Sequence, residues 1–456
     1  MARTVGVIDI GKSNAKFAVV DLKEGAEIDV RRVPNVSLTD GSYPHYDVES
    51  LWDFILGSIH DLNASHPLDA LSITTHGASA ALIDAAGDLA LPVLDYEFTG
   101  PDELAAEYDS VRPDFSETFS PRLPMGLNLG AQIFYQQQRF PDAFGKTRWI
   151  VPYPQYWGFR LTGVAAAELT SLGCHTDLWN VESGLYSSLV MREGWIKLML
   201  DVHAAASILG PLNPELAQKL GVRAGLPVLT GIHDSNASLL PHLVGRQPPF
   251  SVVSTGTWVI ACSPGGDLGA LDPARDCLAN IDAFGRPVPS ARFMGGREYE
   301  MLTGGKAPEP PPEAVRRVLE SQSMLLPAVQ HGSGPFPQHK ASWLPGEPAD
   351  PDRNAAISFY LALMTAECLG MTGGENDIIV EGPFATNALY LQMLAAATGR
   401  PLLADSSSAT GTSIGAALLA SRKASLRQPS PVAVPPALLA PMQRYAARWR
   451  ESVGNG

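Results

Sequence analysis

The fold is decided near the start of the chain, by "TVGVIDIGKSNAKFAVVDL" at Thr4–Leu22. Two apolar runs, Val5–Ile10 and Lys16–Leu22, flank the polar segment "GKSN". Apolar runs of this length that are bounded by turn-forming residues are typical of buried strands, and a short connection containing glycine joins such strands as a β-hairpin. The sequence therefore predicts a hairpin at the start of an α/β domain. Its turn residues are Gly11, Lys12, Ser13 and Asn14.

A second stretch, in the other half of the chain, has the same layout. In "VVSTGTW" at Val252–Trp258, two apolar residues, a polar residue, one further residue and a glycine follow in the order seen in "VIDIGKS" at Val7–Ser13. Two related domains that each begin with such a hairpin would produce this repeat. The sequence therefore predicts two domains, residues 1–231 and residues 232–456.

Strands and helices alternate along the rest of the chain, which is typical of α/β domains. One helix is predicted at Val48–Leu62, capped by Asp47, and another at Asn354–Leu369, ended by Gly370. The tail from Leu426 is rich in proline, and we expect it to wrap the surface.

Composition limits the partners of the protein. The 456 residues carry a net charge of -14, and 18% of them are charged. Nucleic acids and anionic membranes both select clustered Lys and Arg, and the sequence has no such cluster, so neither is an expected partner. An acidic chain can still bind a nucleotide through backbone amides and Mg²⁺.

Targeting signals are not evident in the sequence. The N-terminus lacks the layout of a signal peptide, and no uninterrupted apolar run approaches the roughly 20 residues of a membrane span. The spacings of the four cysteines match no zinc site. We therefore expect a cytoplasmic protein.

The two predicted turns carry the groups that bind a polyphosphate. Glycine allows close backbone approach, whereas hydroxyl and lysine side chains donate hydrogen bonds. Each turn alone is equally typical of an ordinary hairpin, and the pair together favours phosphate binding. Neither is a Walker A loop or a GxGxxG fingerprint. The candidate phosphate residues are Gly11, Lys12, Ser13, Asn14 and Lys16 in the first turn and Thr255, Gly256 and Thr257 in the second, with Asp9 placed for Mg²⁺.

The segment "GIHDSNASLL" at Gly231–Leu240 runs from an apolar strand into a helix. Asp234 is either the N-cap of that helix or a general base that takes the proton of a hydroxyl as it attacks phosphorus. Ser235 could take the capping role instead. His233 is interpreted as a positioning residue and not as the proton acceptor.

Together, "DIGKSNAK", "STGTW", "GIHDSNAS" and the closing "EGPFATN…SSSATGTSIGAALLA" resemble, in order and spacing, the FGGY carbohydrate kinases of the actin, hexokinase and Hsp70-like superfamily. The resemblance spans roughly residues 4–421. The "HDS" and "THGASAALID" segments are most similar to the rhamnulokinase and L-fuculokinase side of the family. The resemblance implies an α/β fold with two ribonuclease H-like (actin-like ATPase) domains and an interdomain cleft.

The resemblance also implies a function. It implies transfer of the γ-phosphate of ATP to a hydroxyl of a small sugar such as L-fuculose or L-rhamnulose, with Mg²⁺ and with Asp234 as the general base. Asp9 and Asp234 match the metal positions. The sugar positions are His76, Gly77, Asp95, Glu97 and Asp234, and the nucleotide positions are Gly382, Pro383 and Asn387, followed by Gly415 and Ala416 in the last helix. A homodimer is common in the family and is a further expectation.

Three departures from the family pattern keep alternatives open. Lys12 replaces a hydroxyl residue, Pro383 replaces a second glycine, and Asp95 and Glu97 stand without the usual arginine. A kinase for a xylulose-, ribulose- or glycerol-like substrate therefore remains an alternative. A non-catalytic sugar or nucleotide sensor on the same fold is a further alternative, but it should lack the base or a phosphate turn, and this sequence has candidates for both. An assembly ATPase would need polymer contacts or a peptide-binding domain, and the sequence offers no candidate segment for either. His76 is equally compatible with a structural role.

Overall fold

The computed structural model describes residues 3–406, 411–421, 426 and 428–454. The chain forms two compact units. Unit 1 comprises Met1–Arg246, Ala279–Pro287 and Ala409–Arg427, and unit 2 comprises Gln247–Leu278, Val288–Ser408 and Gln428–Gly456. The domain boundary after residue 231 stays a prediction. Residues 407–410, within the closing motif, lie outside the described residues.

Strands and helices alternate as the sequence predicts. The strands are β1 (Thr4–Ile10), β2 (Asn14–Asp21), β3 (Ala26–Pro34), β4 (Ser37–Leu38), β5 (His45–Tyr46), β6 (Ala70–Thr75), β7 (Ala80–Asp84), β8 (Leu89–Leu91), β9 (Thr147–Pro152), β10 (Ala167–Glu168), β11 (Trp179–Asn180), β12 (Leu185–Tyr186), β13 (Val202–His203), β14 (Ile208–Pro211), β15 (Pro227–Leu229), β16 (Ile232–His233), β17 (Ser251–Thr255), β18 (Val259–Cys262), β19 (Cys277–Ile281), β20 (Pro287–Phe293), β21 (Met324–Leu326), β22 (Ser342–Leu344), β23 (Ile378–Glu381), β24 (Leu402–Asp405) and β25 (Ser430–Pro431). The helices are α1 (Val48–Ser65), α2 (Ala105–Val111), α3 (Phe115–Thr118), α4 (Leu129–Arg139), α5 (Pro141–Phe144), α6 (Tyr153–Thr162), α7 (Leu169–Leu172), α8 (Ser188–Arg192), α9 (Pro214–Leu220), α10 (Asp234–Gly245), α11 (Gly295–Thr303), α12 (Pro312–Ser321), α13 (Asp352–Met371), α14 (Ala388–Thr398), α15 (Gly411–Leu418) and α16 (Pro436–Gly454).

The main sheet of unit 1 has the strand order β14-β15-β6-β1-β2-β3, and β16 pairs with β6 beside this path. β1 is antiparallel to β2 and β2 to β3, whereas β1 and β6 are parallel. The crossover from β3 to β6 contains α1, which begins as predicted at Val48, with Asp47 accepting a hydrogen bond from the backbone N–H of Ser50. The predicted hairpin at the start of the chain is confirmed.

The main sheet of unit 2 repeats this arrangement with the strand order β20-β18-β17-β23-β24-β25. β17 is antiparallel to β18 and parallel to β23, as β1 is to β2 and to β6. In both turns the glycine N–H donates to a backbone oxygen at 2.9 Å, from Gly11 to Asn14 and from Gly256 to Trp258. The sequence repeat therefore marks the same hairpin in each unit.

Helix α13 does not end where the sequence predicts. It continues through Gly370 to Met371. A glycine inside a helix costs only about 1 kcal/mol, and burial of the apolar residues around it outweighs that cost. By length and composition alone α13 could cross a membrane, but 89% of its most apolar window is buried within the structure, as in the core helix of a globular unit.

The tail that we expected to wrap the surface is mainly a helix with one buried face. The tail forms α16, which runs from Pro436 to Gly454. Tyr445 and Trp449 are buried, and their side chains donate to the backbone oxygens of Ser323 and Leu325 at 2.7 Å. Proline is compatible with the first turn of a helix, so Pro436 begins α16 and does not prevent it.

Candidate active site

Asp234 is the first residue of α10 in unit 1. The N-cap position belongs to His233, which makes no side-chain capping hydrogen bond, so the cap roles considered for Asp234 and Ser235 are both wrong. A third of the Asp234 side chain is exposed. Burial of the carboxyl raises the pKa of Asp234 above its usual value, opposed by His76 and by hydrogen bonds from Ser235. A carboxyl in this condition is suited to accept a proton.

His233 orients the Asp234 carboxylate. Its Nε2 lies 3.1 Å from Asp234 Oδ1, and its Nδ1 lies 3.3 Å from Nδ2 of Asn236. Burial lowers the pKa of His233 to about 4, so the ring is neutral near pH 7. Because the Asn236 amide donates to Nδ1, the ring proton is assigned to Nε2, which donates to Asp234.

A buried carboxyl holds the backbone just before Asp234. The N–H of His233 donates to Thr170 Oγ1 at 3.0 Å, and that hydroxyl donates to Glu168 Oε2 at 2.7 Å. Burial raises the pKa of Glu168 to about 7 despite hydrogen bonds from Thr170 and Ser171. Sequence reasoning missed Glu168, Thr170 and Asn236. Asn236 stands inside the quoted motif, whereas the other two carry no local signal.

Asp9 and Lys16 face each other across the first hairpin. They are register partners on β1 and β2, and Lys16 Nζ lies 3.3 Å from Asp9 Oδ2 and 2.9 Å from Glu27 Oε1. Ser413 Oγ donates to Asp9 Oδ2 at 3.3 Å. Burial raises the pKa of Asp9, the charge of Asp234 adds to that rise, and Lys16 opposes it. The two carboxylates therefore lie within range of each other's charge.

Oxygen ligands of this kind fit Mg²⁺, which is usually held by one or two carboxylates and by substrate phosphates. Within the described ranges, no group of three or more His, Cys, Asp or Glu side chains could hold a metal. Asp9 and Asp234 thus fit a Mg²⁺ that arrives with a nucleotide and do not form a closed metal site.

His76 lies at the end of β6, beside His233. A Cβ on Gly77 would lie 2.7 Å from Nε2 of His233, so only glycine fits there. His76 Nδ1 lies 2.9 Å from the Gly77 oxygen and therefore carries the ring proton. Its Nε2 is buried and has no hydrogen-bond partner among the described residues, and burial lowers the pKa of His76 to about 4.

Three tyrosine rings surround His76, at centroid distances of 5.0 Å for Tyr46, 5.3 Å for Tyr96 and 5.2 Å for Tyr153. The Nε2 of His76 is therefore a hydrogen-bond acceptor that lies among three aromatic rings. The tyrosines Tyr46 and Tyr96 were also missed, because their role depends on packing around a residue distant in sequence.

Lys12 contacts the predicted sugar residues. Its Nζ lies 2.7 Å from both carboxylate oxygens of Asp95 and 3.4 Å from Glu97 Oε2. Ser13 and Asn14 are exposed at the tip of the turn. Asn35 braces that turn by donating to the Gly11 oxygen at 2.8 Å. The phosphate role of these turn residues stays a prediction.

The predicted nucleotide residues of unit 2 surround a pocket of about 580 Å³, a size usual for small-molecule sites. The lining comprises Gly256, Thr257, Gly296, Arg297, Tyr299, Glu300, Gly305, Ala307, Pro308, Glu309, Pro310, Asn354, Ser358, Pro383, Phe384, Thr386, Asn387 and Ala388. Four of the predicted residues, Gly256, Thr257, Pro383 and Asn387, are therefore brought together.

Thr255 and Gly382 adjoin the lining residues Gly256 and Pro383 in sequence and contact each other. Thr255 Oγ1 donates to the Glu381 oxygen at 2.6 Å and accepts from the Phe384 N–H at 3.0 Å. Gly382 has φ +82°, and a Cβ there would lie 2.1 Å from the Thr255 oxygen. Pro383 begins a 3-10 helix at its first position, where an N–H would have no helical partner, so the proline costs no hydrogen bond.

Three of the predicted nucleotide residues also have structural contacts within their own units. Asn387 caps α14 by accepting from the Tyr390 N–H at 3.0 Å. In unit 1, α15 packs so closely on α10 that a Cβ at Gly415 would lie 1.7 Å from the Ala237 oxygen. The Ala416 oxygen accepts from Ser72 Oγ at 2.7 Å. The positions of Gly415 and Ala416 relative to a nucleotide stay predictions.

Residues 4–241 match the FGGY family of carbohydrate kinases, N-terminal domain, and residues 247–429 match carbohydrate kinase FGGY, C-terminal domain. The chain belongs to the FGGY family of carbohydrate kinases. The family predicted from the sequence is thus confirmed.

Two relatives of this FGGY protein are named as sugar kinases. L-fuculokinase of Salmonella typhi is 21% identical over 274 residues, which cover 58% of this chain and 57% of the relative. Rhamnulokinase of Oceanobacillus iheyensis is 25% identical over 269 residues, covering 55% and 54%. The matched part thus spans about half the length of these curated relatives.

A solved carbohydrate kinase from Novosphingobium aromaticivorans is 34% identical, with a TM-score of 0.92 over 100% of this chain and 99% of that one. The predicted α/β fold with two actin-like domains is thus confirmed.

Proposed function

We propose that this FGGY protein is a cytoplasmic, ATP-dependent kinase that phosphorylates a hydroxyl of a small sugar. L-fuculose and L-rhamnulose are the first candidates. The observation that carries the proposal is the Asp234 carboxyl, which has a raised pKa and is oriented by His233 beside Asp9 and His76. This is the environment of a general base that acts on a hydroxyl.

Asp234 takes the proton of the attacking hydroxyl. Its Oδ1 already accepts from His233 Nε2 and from the Ser235 N–H, which leaves Oδ2 for the substrate. The sugar oxygen forms a bond to the γ-phosphorus, the bond from that phosphorus to the bridging oxygen of ADP breaks, and the hydroxyl proton passes to Asp234. Positioning and charge stabilisation provide most of the rate in such a transfer.

Asp9 and Asp234 are the residues that would hold Mg²⁺, which neutralises charge on the phosphates when bound. Before Mg²⁺ binds, Lys16 would compensate the charge of Asp9, since Lys16 Nζ lies 3.3 Å from Asp9 Oδ2. The backbone groups of the two glycine turns are the candidates for binding the phosphates. The pocket lined by Pro383 and Asn387 is the candidate binding site for the adenosine.

His76 is the candidate contact for the sugar. With the ring proton held on Nδ1 by the Gly77 oxygen, the buried Nε2 can only accept. A sugar hydroxyl would supply the missing donor, which would offset the cost of burying an unpaired ring nitrogen. Neighbouring tyrosine rings offer apolar surface to the carbon face of a sugar.

ADP formation in a coupled assay tests the proposal, with a panel of ketoses and polyols and with the phosphorylated position located by NMR. We expect ADP that depends on one or a few of these sugars. A sensor would bind without forming ADP, and an assembly ATPase would form ADP without sugar. Either result would overturn the proposed function.

A further inference from the structure

The Lys12 ammonium is fully engaged by side chains of unit 1. Both oxygens of Asp95 lie 2.7 Å from its Nζ, and Ser37 Oγ and Glu97 Oε2 lie 3.4 Å away. An ammonium group has three N–H donors, so the bidentate contact and these neighbours occupy its hydrogen-bonding capacity. A lysine held in this way is not extended from its turn towards a phosphate.

The same ammonium lies close to two aromatic rings of the candidate sugar site. Its Nζ is 5.2 Å from the centroid of the Tyr46 ring and 5.5 Å from that of Tyr96, within the range of cation–π attraction. These two rings are the ones that pack against His76 at 5.0 and 5.3 Å. The Lys12 ammonium therefore contacts the same two rings that pack against His76.

The pair of Lys12 and Asp95 persists near neutral pH. Burial alone would raise the pKa of Asp95, but hydrogen bonds from Lys12, Ser37 and the Glu97 N–H outweigh it and leave that pKa below its usual value. The side chains of Lys12 and Asp95 are only 20% and 9% exposed. Removal of one partner would leave a poorly solvated charge unpaired, which is costly.

The charges around this site are unfavourable for an anionic substrate. Lys16 is paired with Asp9 and Glu27, as Lys12 is with Asp95. A sugar carboxylate would approach the Asp234 carboxylate while both lysines are already committed.

We propose that Lys12 determines specificity on the sugar side and is not a phosphate ligand. Its ion pair with Asp95 holds Tyr46 and Tyr96 against His76, and the site completed in this way accepts neutral sugars and rejects sugar acids. The inference rests on the proposed kinase function and deepens it by naming the substrate class.

Steady-state kinetics of Lys12→Met and Asp95→Asn test the inference on the full chain, with the best ketose from the panel and with ATP. Lys23→Met, at an exposed lysine of the turn after β2, is the matched control. We expect Lys12→Met and Asp95→Asn each to raise KM for the sugar about tenfold or more, with KM for ATP changed by less than about twofold. Lys12→Arg retains a cation that can pair with Asp95, and it should keep KM for the sugar within about threefold of wild type.

The inhibition constant KI of gluconate, measured as a competitive inhibitor against the ketose, tests the substrate class. Since Asp95→Asn releases the Lys12 ammonium, KI for gluconate should fall about tenfold in that variant while KM for the ketose rises. Unchanged or weaker inhibition would overturn the assignment of substrate class.

The remaining outcomes separate this inference from the proposed function. If Lys12→Met raises KM for ATP and not for the sugar, Lys12 is a phosphate ligand and the inference is wrong. If neither KM changes while the thermal midpoint falls, the pair is only structural and the inference is again wrong. If the wild-type protein forms no sugar-dependent ADP, the proposed function fails, and this inference fails with it.

Discussion

Asp234 Oδ1 lies 3.1 Å from Nε2 of His233. The same oxygen accepts from the Ser235 N–H at 2.6 Å, so one carboxylate oxygen is held by the protein and the other is left for a substrate. The contact also explains why a residue that resembles a helix cap does not act as one. His233 occupies the N-cap position, and its side chain contacts the first helical residue.

Asp234→Asn should lower kcat by about 10²–10⁴-fold, the usual contribution of a general base. Asparagine keeps an oxygen that can accept from His233 and Ser235, so the fold should be unchanged by circular dichroism. Asp53→Asn, at an exposed position of α1, is the control and should retain full activity. Full activity of Asp234→Asn in the coupled ADP assay would refute the role of Asp234.

The pH profile of kcat/KM should show an acidic limb that belongs to Asp234. The base works only when deprotonated, and burial raises its pKa above the ordinary aspartate value of 3.8. Activity should therefore rise with pH through a midpoint above that value. The two histidines with pKa values of about 4 are neutral above roughly pH 5 and should add no limb there. An unaltered limb in the residual activity of Asp234→Asn would show that another group titrates.

Gly415→Ala should disturb the packing of α15 on α10. Because the new Cβ would lie 1.7 Å from the Ala237 oxygen, one helix must move, and overpacking of this kind typically costs about 1–3 kcal/mol. We expect a lower thermal midpoint, together with a lower kcat because α10 carries Asp234.

Gly411→Ala, in the same helix, is the matched control. A Cβ there would lie 3.5 Å from its nearest neighbour, an ordinary contact, so both measurements should stay close to wild type. Equal midpoints for the two variants would show that the close approach of α15 to α10 does not limit stability.

Local features of the fold could be predicted from the sequence. The two hairpins and α1 follow from apolar periodicity and turn residues, whereas the pairing of Asp9 with Lys16 emerged only from the register of the first hairpin. The helix α16 could not be predicted in the same way. Its two prolines, Pro436 and the internal Pro441, and the preceding Pro-rich segment suggest a loop, whereas burial of Tyr445 and Trp449 in unit 2 stabilises a helix.

The candidate site was only partly predictable, for a related reason. Asp234, His76 and the turn glycines stand in recognisable local patterns. The contact between Lys12 and Asp95 joins residues 83 positions apart, so no local pattern in the sequence indicates it. Likewise, Glu168 acts through Thr170 on the backbone of His233, a link that only tertiary packing creates.

Glu298 should make the stability of unit 2 depend on pH. The residue is 1% exposed, and its carboxyl accepts from the Gln330 N–H and the Tyr360 hydroxyl, both at 2.9 Å. Burial raises its pKa from 4.5 to about 7. The folded form thus binds its proton more tightly than the unfolded form, so this contribution to stability is complete below about pH 4.5 and is lost as pH rises through about 7.

Glu298→Gln removes that titration and keeps a side-chain oxygen for Gln330. Between pH 5 and pH 8 the free energy of unfolding of the wild type should therefore fall more than that of the variant, by on the order of 2–3 kcal/mol. Urea denaturation at the two pH values measures the difference. Glu300→Gln, at the exposed position two residues along α11, should keep the wild-type dependence. If Glu298→Gln kept it too, the buried carboxyl would not be the group that titrates.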